Sequence, residues 1–240
     1  MTHTCPICAS STEKIASIPF DVAQDGQDSP SLALRETPID YFQCPSCGHV
    51  FAPWLIAQSK EWLSQHIYNA DYPKYDADYL DAESGRVKNQ QNALVYGYHF
   101  ARKSIRHLDY GSGDGRLSSK LNAVGFRSES YDPFSSPCLP SGKFNLITAF
   151  EVIEHVPDPH GFIEALSGFM DDPCLIRIGT IPNDGEDIGS WWYANPRVGH
   201  LNMFSIRSMM TLAHKHRLSL SIVNGSDFFL WRNLPEWAKY

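Results

Sequence analysis

Residues Arg106–Phe126, RHLDYGSGDGRLSSKLNAVGF, open with a short apolar run ending at Asp109. They then pass Gly111, Gly113 and Gly115 and continue into an amphipathic segment that ends near Gly125. This order predicts a strand, a tight turn and a helix. Glycines in such a turn let a ligand approach the backbone, and the first helical turn offers N–H groups without intrahelical partners. Alone, Gly-x-Gly-x-Gly also fits an ordinary turn or a dinucleotide site. The flanking residues narrow the choice. SESYDPF, Ser128–Phe134, ends a second strand at Asp132, where a carboxylate can accept both hydroxyls of a ribose. KFNLITAF, Lys143–Phe150, reads as a further buried strand.

That strand runs into TAFEVIEHVPDP, Thr148–Pro159, which places Glu151, Glu154 and His155 within five residues. If Glu151 begins a helical turn, Glu154 at i+3 and His155 at i+4 lie on its side of the helix. The three groups then converge at the carboxyl end of a central strand, where open α/β sheets bind ligands. Three readings stay open. In one, Glu151, Glu154, His155 and the distant His200 hold a hard divalent ion that aligns and acidifies vicinal substrate hydroxyls. In another no metal binds, and His155 is the general base with Glu154 orienting its ring. In the third the carboxylates cap backbone or pair with Arg197, and His155 is merely packed.

LDYGSGDG and FNLITAFEVIEHVPDP together resemble the class I S-adenosylmethionine-dependent methyltransferases, in the branch reading D-x-G-x-G-x-G and then E-x-x-E-H. The resemblance covers Ser104 to about Ser221. It implies an α/β fold, a doubly wound Rossmann-like sheet with a reversed terminal strand, and S-adenosyl-L-methionine as cofactor. Asp109, Gly111 and Gly113 would line its methionine end and Asp132 would hold its ribose. SIRSMMTLAHKHRLSLSIVNG, as helix then strand, and DFFLWRN, as a closing strand, fit the family's reversed final hairpin. Small-RNA 3′-terminal 2′-O-methyltransferases and ubiquinone-pathway O-methyltransferases are similar in the E-x-x-E-H segment and in a later histidine, which implies magnesium or manganese at Glu151, Glu154, His155 and His200. One departure stands out. Only the eleven residues PFSSPCLPSGK separate Asp132 from the strand at Phe144, where the family places a helix, a third strand and an adenine-contacting loop. The sheet can therefore lack a full edge strand, and the adenine contacts stay unassigned.

Toward the amino terminus, Cys5-Pro6-Ile7-Cys8 and Cys44-Pro45-Ser46-Cys47-Gly48 are near-copies of one knuckle. Together they predict a tetrahedral four-sulfur zinc site, structural because four thiolates leave no open coordination position. KIASIPF and IDYFQC supply short strands, and the polar DVAQDGQDSPSL a loop between them. We expect a zinc-ribbon module over 1–53, a helical linker or lid over 54–103, and the methyltransferase domain over 104–240. In the linker, Tyr68, Tyr72, Tyr75 and Tyr79 recur at spacings of three or four, the mark of a helix packing one face on a core, with Pro73 interrupting it. Trp191, Trp192, Tyr193, Met203 and Phe204 either complete the core or roof a substrate site.

The formal charge of −7 argues against a partner held by phosphate neutralisation, so nucleic acid is disfavoured. No apolar run reaches the roughly 20 residues that span a bilayer. The start MTHTCPICASSTEK lacks a signal-peptide layout, and a cytoplasmic location is expected. The expected activity is methylation of an oxygen or carbon on a small-molecule or sugar-linked acceptor. The alternatives are an RNA methyltransferase using the ribbon for substrate binding, since a zinc ribbon before such a domain resembles certain ribosomal-RNA guanine methyltransferases, and an inactive cofactor-binding scaffold. A four-cysteine module before such a domain also resembles the nucleotide-sugar C-methyltransferases, which typically carry another large carboxy-terminal domain. Oligomeric state is not legible in the residues.

Overall fold

A computed structural model describes residues 3–21, 34–76, 85–135 and 138–239. In chain order its strands are β1 (Glu13–Pro19), β2 (Pro38–Gln43), β3 (Val50–Phe51), β4 (Arg106–Tyr110), β5 (Arg127–Tyr131), β6 (Phe144–Phe150), β7 (Met170–Gly179), β8 (Asn202–Met203), β9 (Ser219–Val223) and β10 (Asp227–Trp231). Its α-helices are α1 (Pro53–Ile56), α2 (Lys60–His66), α3 (Gly85–Tyr98), α4 (Arg116–Ala123), α5 (Pro159–Phe169) and α6 (Ile206–Lys215). The chain divides into two compact units. One comprises Met1–Leu80, Glu154–His160 and Ile181–Leu212; the other comprises Asp81–Ile153, Gly161–Thr180 and Ala213–Tyr240.

The second unit is built on a six-stranded sheet in the order β5-β4-β6-β7-β10-β9. Strands β5, β4, β6 and β7 run parallel, β10 is antiparallel to β7, and β9 is antiparallel to β10. This is the doubly wound α/β sheet with a reversed final hairpin. Central strand β6 is buried at nearly every position, as a parallel strand covered on both faces must be, whereas polar β5 alternates toward exposure and forms an edge. The short run after β5 adds no strand beyond it among the described residues. Leu94, Ile105, Leu121, Leu146 and Leu175 form the hydrophobic core on one side. Between β7 and β10, the nearly buried Arg177 guanidinium donates to both Asp227 carboxylate oxygens, at 3.2 and 2.7 Å.

The first unit carries a four-stranded sheet in the order β1-β2-β3-β8, antiparallel throughout. Its fourth strand comes from far along the chain: Val50 pairs with Met203 and Phe51 with Asn202. The expected boundaries at 53/54 and 103/104 are therefore redrawn. A ribbon of some fifty residues buries too little apolar surface by itself. Here Ile39, Tyr41, Val50 and Leu55 share one core with Tyr193, Leu201 and Met203. Helices α1 and α2 belong to this unit and α3 to the other.

Among the described residues the expected tyrosine-faced helix does not form. Tyr68 follows α2, and Tyr72 opens a 3₁₀ turn, Tyr72–Lys74, that contains Pro73. Pro73 has no N–H to donate to a carbonyl four residues earlier, and the chain runs there as a 3₁₀ turn instead of an α-helix. Tyr68, Tyr72 and Tyr75 still pack on the core, while Tyr79 lies outside the described residues. No helix among the described residues is long and apolar enough to cross a membrane.

Candidate active site

In the second unit, β4 delivers Asp109 to the turn that precedes α4. The Gly111 and Ser112 N–H groups donate to the Tyr131 carbonyl, at 2.7 and 3.2 Å, tying the turn to β5. Gly111 has φ +73°, and a Cβ there would lie 2.5 Å from Val152 Cγ2; only glycine fits. Gly113, at φ +56°, has no atom within 4 Å of such a Cβ, so space above it is open. Asp132 braces the loop: Oδ2 accepts from Gly113 N–H at 3.0 Å, and Oδ1 accepts from Phe134 and Ser135 N–H at 2.8 and 3.2 Å.

Asp109 is buried, and its Oδ1 accepts from the Thr148 hydroxyl at 3.0 Å. Burial pushes its carboxyl up to about 7; the Thr148 bond opposes this and the Asp132 charge adds to it. Behind Thr148 sits buried His107, with Nε2 2.9 Å from Thr148 Oγ1 and Nδ1 2.7 Å from Ser128 Oγ. Burial lowers His107 to about 3, so its ring is neutral. An accessible glycine turn flanked by two carboxylates fits a ligand bearing a cationic end and hydroxyls, the donor set that S-adenosyl-L-methionine presents.

In the first unit, Glu154, His155 and His200 each bring one ligand atom to within 4.8 Å of the others. Glu151 is not in this group. It has φ +54° and donates its N–H to the Gly179 carbonyl at 2.9 Å, extending the β6 pairing instead of starting a helix. Glu154 and His155 lie in a 3₁₀ turn, Ile153–His155, and α5 begins only at Pro159. The i, i+3, i+4 convergence expected for Glu151 therefore does not form.

Each remaining member of the cluster is held from behind. Tyr193 donates its hydroxyl to Glu154 Oε1 at 2.6 Å, and Glu154 is fully buried. His200 Nδ1 lies 2.5 Å from the Tyr193 carbonyl, and His155 Nδ1 lies 3.0 Å from the Gly199 carbonyl and 3.1 Å from the Tyr68 hydroxyl. A carbonyl oxygen can only accept, so each Nδ1 carries a proton, and in the neutral form of each ring Nε2 keeps the lone pair. That is the tautomer a metal ligand or a general base needs. The two rings meet edge to face with centroids 4.9 Å apart. Two imidazoles and one carboxylate fit a first-row divalent ion such as manganese better than magnesium, which favours all-oxygen sites.

Tyr68 and Tyr193 were not anticipated as parts of this cluster; in sequence they are two aromatics among many. Arg197 does not serve the carboxylates as its partners here. Its buried guanidinium donates to the Ile67 carbonyl at 2.8 Å and Asn69 Oδ1 at 3.1 Å, and lies over the Tyr75 ring. Trp191, Tyr193, Met203 and Phe204 complete the core, whereas Trp192 is 72% exposed.

The four knuckle cysteines also converge, with Sγ atoms all within 4.8 Å of one another. Cys5 and Cys47 are 3.7 Å apart, and Cys8 and Cys44 3.4 Å. A tetrahedral zinc with bonds of about 2.3 Å needs sulfur pairs about 3.8 Å apart, so the thiols are spaced for one ion. Cys5 is held down at about 5, chiefly by the Cys47 thiol, whose own ionisation Cys5 in turn opposes. Gly48, at φ +75°, closes the second knuckle against Ser205.

A family model described as Methyltransferase domain matches residues 60–220. A ubiquinone biosynthesis O-methyltransferase from Glaesserella parasuis serovar 5 (strain SH0165) is 44% identical over 39 residues; the match spans 16% of this chain and 16% of that relative's length. Magnesium protoporphyrin IX methyltransferase from Synechocystis PCC 6803, solved with bound S-adenosylhomocysteine, is 11% identical, with 72% of this chain and 98% of that one covered at a TM-score of 0.49. The 1,6-didemethyltoxoflavin-N1-methyltransferase from Burkholderia thailandensis is 14% identical, with 76% and 93% covered and a TM-score of 0.49.

Proposed function

We propose, from the premise that this chain belongs to the methyltransferase domain family, that it transfers the methyl group of S-adenosyl-L-methionine to a hydroxyl or carbon of a small-molecule or sugar-linked acceptor. When bound, that cofactor supplies an electrophilic methyl group on a sulfonium. In this reading the Asp132 carboxylate takes the ribose hydroxyls, Asp109 faces the methionine ammonium, whose charge favours its ionised form, and Gly113 leaves room for the chain between them. Positioning donor and acceptor in line is the main catalytic contribution of the protein.

The observation that carries the rest is the Glu154–His155–His200 group, with both Nε2 lone pairs directed by carbonyls at the opposite nitrogen. We assign it to the departing proton. Its donor set supports a divalent ion, which when bound would lower the pKa of a substrate hydroxyl. Without one, His155 would accept the proton directly. The knuckle cysteines would hold a structural zinc. The test is a manganese(II) titration followed by electron paramagnetic resonance on chelator-washed chain loaded with S-adenosylhomocysteine. Saturable binding lost in His200→Ala supports the ion and directs the search to vicinal hydroxyls. No binding in the wild type refutes the ion and leaves His155 as the base.

A further inference from the structure

The segment that carries Glu154 and His155 is tied to both cysteine knuckles. At one end, His160 Nε2 lies 3.1 Å from the carbonyl of Ile7, inside the first knuckle. Closer to the cluster, Asn202 donates Nδ2–H to the Val156 carbonyl at 2.7 Å, and that bond fixes which way its amide points. Asn202 Oδ1 then faces His49 Nε2 at 3.0 Å, two residues beyond Cys47. An amide oxygen only accepts, so His49 donates, and its buried ring is stacked on Phe51 at 5.8 Å.

The backbone repeats the connection. Leu201 N–H donates to the Glu154 carbonyl and Ala52 N–H to the Leu201 carbonyl, both at 2.9 Å. The second knuckle is itself gripped from the His200 side: Ser205 donates to the Cys47 carbonyl at 2.6 Å and Asn183 to the Gly48 carbonyl at 3.2 Å. His200, Leu201 and Asn202 are consecutive, so the stretch that presents His200 and leads into β8 also contacts the knuckle.

We infer that the cysteine knuckles, through His49, Asn202 and His160, set the geometry of the Glu154–His155–His200 cluster, and that these three are positioning residues for it. The inference rests on the proton-handling role given to that cluster above. On this view the ribbon is part of the frame of that cluster, and a metal-filled knuckle is a condition for its order.

The test uses the 240-residue chain with its zinc content measured, and two readouts. One is the manganese(II) titration. The other is nuclear magnetic resonance of ¹⁵N-histidine-labelled protein, which reports the tautomers of His155 and His200 whether or not an ion binds. Asn202→Leu and His49→Phe should keep zinc and a cooperative melt, weaken manganese binding roughly tenfold or more, as loss of groups that orient ligands does, and lose the Nδ1–H signature of both rings. His49→Gln, which can still donate to Asn202, should restore both readouts. If Asn202→Leu fails to fold, partly buried His160→Ala carries the test with the same expected direction. Zinc-replete variants with wild-type tautomers would overturn the inference. Should the wild type bind no manganese, only the ion assignment falls, and the tautomer comparison still decides this one.

Discussion

Gly111→Ala tests the construction of the glycine turn most sharply, because Gly113→Ala is its built-in control. Both residues have positive φ, +73° and +56°. Holding alanine in that region costs about 1–2 kcal/mol at either site, offset in part by the lower entropy of the unfolded alanine chain, about 0.4–1 kcal/mol. At Gly113 nothing lies within 4 Å of the new Cβ, so the backbone term is the whole cost. At Gly111 the Cβ would sit 2.5 Å from Val152 Cγ2 and 2.9 Å from Cγ1, far inside van der Waals contact. Overpacking of that kind adds about 1–3 kcal/mol. Urea unfolding should therefore show Gly111→Ala about 1–3 kcal/mol less stable than Gly113→Ala, with unchanged slope. Combining Gly111→Ala with Val152→Ala should recover most of that difference, a coupling of neighbouring sites. Equal costs for the two glycines, or no recovery in the double variant, would refute the reasoning.

The other predictions concern charge and metal. Asp109, raised to about 7, binds its proton more tightly folded than unfolded. Its contribution to stability is therefore fully present below about pH 4 and lost as pH rises through about 7; Asp109→Asn should flatten the urea midpoint across that window. Asp227→Ala strands the buried Arg177 guanidinium and should cost about 3–5 kcal/mol in chemical denaturation, most of it recovered when Arg177→Leu is added. Cys44→Ser should abolish zinc binding, read by metal analysis of the purified chain, and lower the melting temperature.

Where side-chain spacing dictates backbone, the fold was legible. The strand, glycine turn and helix at 106–126 and the final hairpin lie where periodicity and glycine place them, and the gap after Asp132 marked the sheet edge at β5. The knuckle spacing likewise foretold four converging sulfurs. What escaped was non-local or rested on an assumed helix. Two residues, Asn202 and Met203, show no periodicity, yet they complete the ribbon sheet beside a strand some 150 positions earlier. The E-x-x-E-H spacing converges only on a helix, and the left-handed backbone at Glu151 prevents one from starting there. Tyr68 and Tyr193 read as core aromatics because nothing in their spacing marks a hydroxyl aimed at a histidine or a glutamate.

Calorimetric titration of wild type and Asp132→Ala with S-adenosyl-L-methionine and with S-adenosylhomocysteine tests the central claim most directly. Each ligand should show one saturable site, weakened about tenfold or more in the variant, as loss of a charged hydrogen-bonding partner implies. Absence of binding in the wild type would contradict the methyltransferase reading, and an unaltered affinity in Asp132→Ala would show that the ribose is held elsewhere.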